Sequence, residues 1–278
     1  TSTIDNPTIL KRASFMNPEQ ADLILIEQRA AVLYLTLNGS DTGNALTTPM
    51  CVALAEGLES VNGRADIHCV VLRGSGRHFC TGGNVNDMQK GEDLMQGSTE
   101  DVLDGLRRYL HRITLAMQAI EVPIIAAING SAIGAGLDLA MMCDLRVAVT
   151  GARLAESFLR LGLISGIGGA WFLTRAVGLA KAMEMTLTSQ FHSAEEALQM
   201  GLINRVVEAE ALDATVEQLA TTIASAPPKA LRLAKRLVRQ AASSDLPQAL
   251  ETAGSVQAIL LCGAEHKAAV SAFLASSR

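Results

Sequence analysis

Two glycine-rich stretches hold the residues whose type and order can do chemistry. The first is Arg77-His78-Phe79-Cys80-Thr81-Gly82-Gly83-Asn84, and the second is Ile128-Asn129-Gly130-Ser131-Ala132-Ile133-Gly134-Ala135-Gly136-Leu137-Asp138. Each follows a short apolar run that reads as a buried strand, and the second leads into a helix near Ala135. Small residues at such a junction let a ligand come close to backbone N–H groups. The helix N-terminus adds partial positive charge at the same place. One N–H from each loop can converge on a single oxygen, which builds an oxyanion hole without using side chains. The plain alternative is that the glycines only make tight strand-to-helix turns. A dinucleotide site fits less well. Gly134-Ala135-Gly136 begins a GxGxxG pattern, but position 139 is Leu and the stretch lies mid-chain.

The elements that must position these loops follow from the hydrophobic pattern. Strands are expected over Leu23–Glu27, Val32–Leu37, Cys69–Leu72, Pro123–Ile128 and Arg146–Val149. Thr48-Pro49 reads as an N-cap and N1 pair opening a helix to about Val61, and a further helix is expected from Asp101 to Ala119. Apolar strands alternating with helices argue an α/β fold with mostly parallel strands. After Val207 the pattern changes to four helices, Ala209–Ala224, Pro228–Ala241, Leu246–Leu261 and Ala264–Ala275. The chain therefore divides into a polar N-terminal tail (1–20), an α/β core (21–205) and a C-terminal helical region (206–278). That region is too thin for a core of its own, so it packs on the α/β core or on a neighbouring subunit.

Composition narrows the functional classes. Of 278 residues 49% are hydrophobic, 18% charged and 3% aromatic, with a net charge of −5. Disorder and a disulfide scaffold are excluded, and so few aromatics disfavour a single-stranded nucleic-acid platform. The longest uncharged run, Val122 to Leu137, is broken by a proline and three glycines and is too short to span a membrane. Cys51, Cys69, Cys80, Cys143 and Cys262 show no CxxC spacing, which reads as reduced thiols in a cytoplasmic protein. The five histidines are scattered without metal-ligand spacing, so no metal is expected.

Taken together, the motifs resemble the crotonase, or enoyl-CoA hydratase/isomerase, superfamily. The matching pieces are Asn44-Ala45-Leu46, Phe79 to Val85, Pro123 to Gly130, Gly134 to Asp144, Leu161-Gly162-Leu163 with Gly166 to Gly169, and Ser193 to Asn204. The resemblance implies a spiral of ββα turns whose C-terminal helices form a trimer, often a dimer of trimers. It implies an acyl-CoA thioester as substrate, with no cofactor beyond the CoA that the substrate carries. By position, the thioester oxygen would be held by the N–H groups of Thr81 and Ala135. CoA would meet Ala45, Leu46, Cys80, Gly82, Gly83, Asn84, Val85, Gly134, Gly136 and Phe158. The basic residue common before Asn-Ala-Leu is here Gly43. The basic stretch Lys229, Arg232, Lys235, Arg236 and Arg239 is either a CoA-phosphate or RNA contact or a solvated helix face.

Hydratases of this family use two glutamates around one water. Here the first position is Asp138 and the second is Phe158, which removes a carboxyl group. Asp138 is either the remaining catalytic acid or a cap for the helix start. Glu156 is the nearest substitute, and it shares a face with Phe158 if that segment is extended. The Gly-Leu-Asp and Ala-Glu-Ser-Phe pair is similar to that of some hydratase-like members. Water addition needs a base for the water and an acid for the α-carbon, which Asp138 and Glu156 can supply. A double-bond isomerase needs one carboxylate only. A CoA-binding scaffold without activity is the remaining alternative.

Overall fold

The computed structural model describes residues 22–276; the expected tail, 1–20, lies outside the described residues. The main sheet has six strands in the order β1-β2-β3-β4-β6-β9. They are β1 (Ile24–Arg29), β2 (Val32–Leu37), β3 (Cys69–Gly74), β4 (Ile124–Ile128), β6 (Leu145–Val149) and β9 (Arg205–Val207). β1 and β2 form an antiparallel hairpin, and every other neighbouring pair is parallel. All residues of β2 and β4 are buried, as their unbroken apolar runs require of strands covered on both faces. A second sheet of three short strands, β5 (Ala132–Ile133), β7 (Arg153–Ala155) and β8 (His192–Ser193), stands beside it.

The helices match the expected elements with local differences. Helix α1 (Thr48–Glu59) is capped by Thr47, whose side chain accepts from Met50 N–H, one residue earlier than expected. Helix α2 (Val85–Lys90) opens directly after the first glycine-rich loop. The helix expected over Asp101–Ala119 is interrupted. It runs as α3 (Thr99–Gly105), a π-helical stretch (Leu106–His111) and α4 (Arg112–Ala119). Helix α5 (Ala135–Met142) follows the second loop, α6 (Gly169–Thr188) packs against α5, and α7 (Ala194–Gln199) precedes β9.

The boundary expected at 205/206 falls inside β9, which pairs with β6 on the main sheet. The core also continues into α8 (Leu212–Ala224), which buries Leu212, Val216 and Ala220 against the sheet. The separate helical region is therefore α9 (Pro228–Ala241), α10 (Leu246–Leu261) and α11 (Ala264–Ser276), none of which has a buried residue. The basic face of α9 is divided: Lys229 and Arg236 are exposed, whereas Arg232, Lys235 and Arg239 bind the core. Arg232 donates to the carbonyls of Arg64 (2.8 Å) and Ile67 (2.9 Å). Lys235 Nζ donates to Val122 O at 2.7 Å and pairs with Asp144 at 2.7 Å, and Arg239 pairs with Asp144 at 2.8 Å. These cations dock α9 on the core.

Candidate active site

The two glycine-rich loops lie side by side. Cys80 bridges to Ala132 in parallel fashion, and Ile133 N–H donates to Cys80 O at 3.0 Å. The approach is so close that a methyl group on Gly136 would lie 2.1 Å from Cys80 O. One on Gly82 would lie 2.7 Å from Ile133 O and 3.3 Å from Ala135 N. Asn44 holds the first loop in shape. Its fully buried side chain donates to the carbonyls of Ser75 (3.0 Å), His78 (2.8 Å) and Phe79 (3.2 Å) and accepts from Gly39 N–H (2.9 Å).

The oxyanion-hole expectation needs one correction. Thr81 N–H is engaged, donating to Gly43 O at 3.0 Å. Two residues on, Gly83 N–H has no acceptor among the described residues, and neither does Ala135 N–H in the first turn of α5. Unengaged backbone donors in the two loops thus include those of Gly83 and Ala135.

The expected CoA residues divide by exposure. Gly83 and Asn84 are half-buried, Val85 is exposed and Phe158 is partly buried. Ala45, Leu46 and Cys80 are 2%, 2% and 0% exposed and present no side-chain surface to a ligand. The Cys80 thiol donates to Asn44 O at 3.1 Å, and burial pushes its pKa up to about 12. Gly82, Gly134 and Gly136 are also buried. Gly82 and Gly136 serve the contact between the loops. The position of a methyl group on Gly134 is 3.6 Å from Phe158 Cζ, so this ring lies over the second loop.

Asp138 and Glu156 come together in the interior, at 0% and 4% exposure. The extended segment ends at Ala155, and Phe158 opens a 3₁₀ turn (Phe158–Leu161). Glu156, just past the strand end, reaches Asp138, while Phe158 covers Gly134. Both carboxyl groups are pushed above the ordinary range, first by burial. The Asp138 carboxylate raises Glu156 further, and a proton held by Glu156 hydrogen-bonds to Asp138 and offsets part of the rise there. Asp138 Oδ1 and Glu156 Oε1 are buried and have no hydrogen-bond partner among the described residues. The side chain of Asp138 makes no capping bond to its own helix.

Two residues around Asp138 were not candidates from the sequence, Ser165 and Gly169, the latter matched only as part of the Gly166–Gly169 run. Ser165 Oγ donates to Asp138 Oδ2 at 2.6 Å and accepts from Gly169 N–H at 2.8 Å. A methyl group on Gly169 would lie 2.0 Å from Asp138 Oδ1, so the bare backbone there makes room for the carboxyl group. The loop that carries Ser165 is pinned by the interrupted helix. His111 Nε2 bonds Gly166 O at 3.0 Å, and Thr114 Oγ1 donates to Ile167 O at 2.8 Å. Such π-helical turns recur at functional sites.

Comparison with known proteins identifies the family. The enoyl-CoA hydratase/isomerase family pattern matches residues 27–276. The chain is 34% identical over 254 residues to the 1,2-epoxyphenylacetyl-CoA isomerase of Escherichia coli K12, covering 91% of this chain and 96% of that protein. It is 31% identical over 251 residues to the 2,3-dehydroadipyl-CoA hydratase of the same organism, covering 90% and 95%. The crystal structure of an enoyl-CoA hydratase from Mycobacterium smegmatis superposes with a TM-score of 0.84 at 34% identity, over 91% of this chain and 96% of that one. A family pattern matched from residue 27 to 276, with relatives and a fold shared across nearly the whole chain, makes this protein an enzyme of the enoyl-CoA hydratase/isomerase family, a member of the crotonase superfamily.

Proposed function

We propose that this enzyme reversibly adds water to the double bond of a 2-enoyl-CoA thioester. The observation that carries the reading is the pair of buried acids Asp138 and Glu156, 0% and 4% exposed, each with one carboxyl oxygen that no protein group satisfies among the described residues. The thioester oxygen lies between the N–H groups of Gly83 and Ala135, which stabilise the negative charge that develops on it. Ionised Asp138 takes a proton from water as the hydroxyl adds to the β-carbon. Glu156 gives its proton to the α-carbon as the enolate collapses. Direct transfer from Asp138 back to Glu156 then restores the starting state. The CoA moiety runs along Gly83, Asn84 and Val85, with Phe158 beside the acyl group. No cofactor enters this scheme.

Loss of the conjugated absorbance of crotonyl-CoA tests the reading. Asp138→Asn and Glu156→Gln are each expected to lower kcat/KM by about 10²–10⁴-fold. Hydration that survives both substitutions overturns it. A second reading is a double-bond isomerase, favoured by the direct carboxyl contact, because a shared proton can move between α- and γ-carbons without water. A double-bond shift in a 3-enoyl-CoA with no hydration of crotonyl-CoA selects that reading. In either case we assign a trimer or a dimer of trimers, supported by the exposed leucines and isoleucine of α10. A cytoplasmic setting is supported by the five free cysteines.

A further inference from the structure

We propose that Ser165 is a positioning residue whose hydroxyl relays the start of α6 to Asp138 and thereby biases the charge of the carboxyl pair toward Asp138. The proposal rests on reading Asp138 and Glu156 as an acid–base pair. The Ser165 hydroxyl has a single proton, and Gly169 N–H occupies one of its oxygen lone pairs at 2.8 Å. That proton is therefore directed at Asp138 Oδ2, 2.6 Å away. A donor bonded to a carboxylate favours its charged form. Gly169 is the first residue of α6, so the relay ends on backbone N–H groups at the positive end of a helix.

Glu156 has no equivalent. Its Oε1 lacks a donor among the described residues, and both burial and the neighbouring Asp138 charge favour its protonated form. Glu156 is also the only titratable side chain acting on Asp138 among the described residues; α4 and α6, which pack against α5, bring no further charge to it. Among the described residues Ser165 is thus the one hydrogen-bond donor from outside the pair, and it adds to the asymmetry between the two acids. It leaves Asp138 Oδ1 as the oxygen that meets water and leaves Glu156 holding the proton.

The test is Ser165→Ala, with Ser165→Thr as the variant that keeps the hydroxyl. The acid limb of the kcat/KM profile is expected to move up by about one pH unit in Ser165→Ala. The deficit is then about tenfold on the acid side and closes toward wild type at alkaline pH, with KM little changed. Ser165→Thr restores the wild-type limb. A deficit of equal size at every pH, or an unmoved limb, overturns the proposal. A second measurement separates this proposal from the functional reading. Infrared titration of the Asp138 carboxyl band, assigned with Asp138→Asn, needs no substrate. If that band shifts upward in Ser165→Ala while the wild type turns over no enoyl-CoA, the relay stands and the functional reading falls. If the band does not shift, the relay falls, whatever the enzyme turns over.

Discussion

Asp138 and Glu156 bring two acids into an interior that favours neither as an ion. Their raised pKa values set the sign of a pH effect on stability. An acid whose folded pKa lies above its unfolded value stabilises the fold fully below the unfolded pKa and loses that contribution as pH rises through the folded one. Wild-type stability is therefore expected to fall as pH rises from the ordinary carboxylate range into the alkaline range. Glu156→Gln should flatten this slope and raise Tm by a few degrees at neutral pH, equivalent to roughly 1–2 kcal/mol. Thermal melts of the two proteins across pH check it, and parallel curves would contradict it. The same exchange should lower kcat/KM by about 10²–10⁴-fold, so the site trades stability for chemistry. Asp138 was legible as a candidate from its place after Gly-Leu. Ser165 was not, because its partner lies 27 positions away and only the fold makes them neighbours.

At the scale of elements, the catalytic geometry depends on two loops being pressed together. Asn44 does much of this by holding three carbonyls of the first loop from a residue at φ 57°. Asn44→Ala leaves those carbonyls and Gly39 N–H without their partner and should cost about 2–4 kcal/mol. Chemical denaturation measures the loss. Gly136→Ala acts differently, since its new methyl group meets the backbone of Cys80 at 2.1 Å and no side chain can yield. The loops must then part, and kcat should fall by at least about tenfold, because misplacing donors weakens transition-state binding. Within the Asn-Ala-Leu motif the sequence marks Ala45 and Leu46 as CoA neighbours; both are buried, and Asn44 before them builds the loop.

At the scale of the whole molecule, α9 is clamped to the core through Asp144, whereas α10 and α11 stand away from it. Leu246, Leu250, Ile259 and Leu261 of α10 are at least half exposed, an apolar surface that a lone chain in water does not favour. The expected outcome is that a second copy covers it. Leu250→Glu with Ile259→Glu should convert the assembly to a smaller species with core circular dichroism retained, as sedimentation velocity would record. An unchanged sedimentation coefficient would place the subunit contact elsewhere.

The amino-acid sequence by itself determined the parallel sheet, the order of the two glycine-rich loops and the C-terminal helices. These follow from local hydrophobic runs and small residues, which need no distant partner to be recognised. The two- and three-residue strands of the second sheet and the π-helical turn were not legible, because neither has a period long enough to register. Only the tertiary structure decided which backbone N–H is free. Thr81 is engaged by a carbonyl 38 positions earlier, and that leaves Gly83. It alone decided, too, that a glutamate two residues before Phe158 reaches Asp138. Hydrogen bonds and charge interactions act over a few ångströms in space, and spacing along the chain does not report those distances.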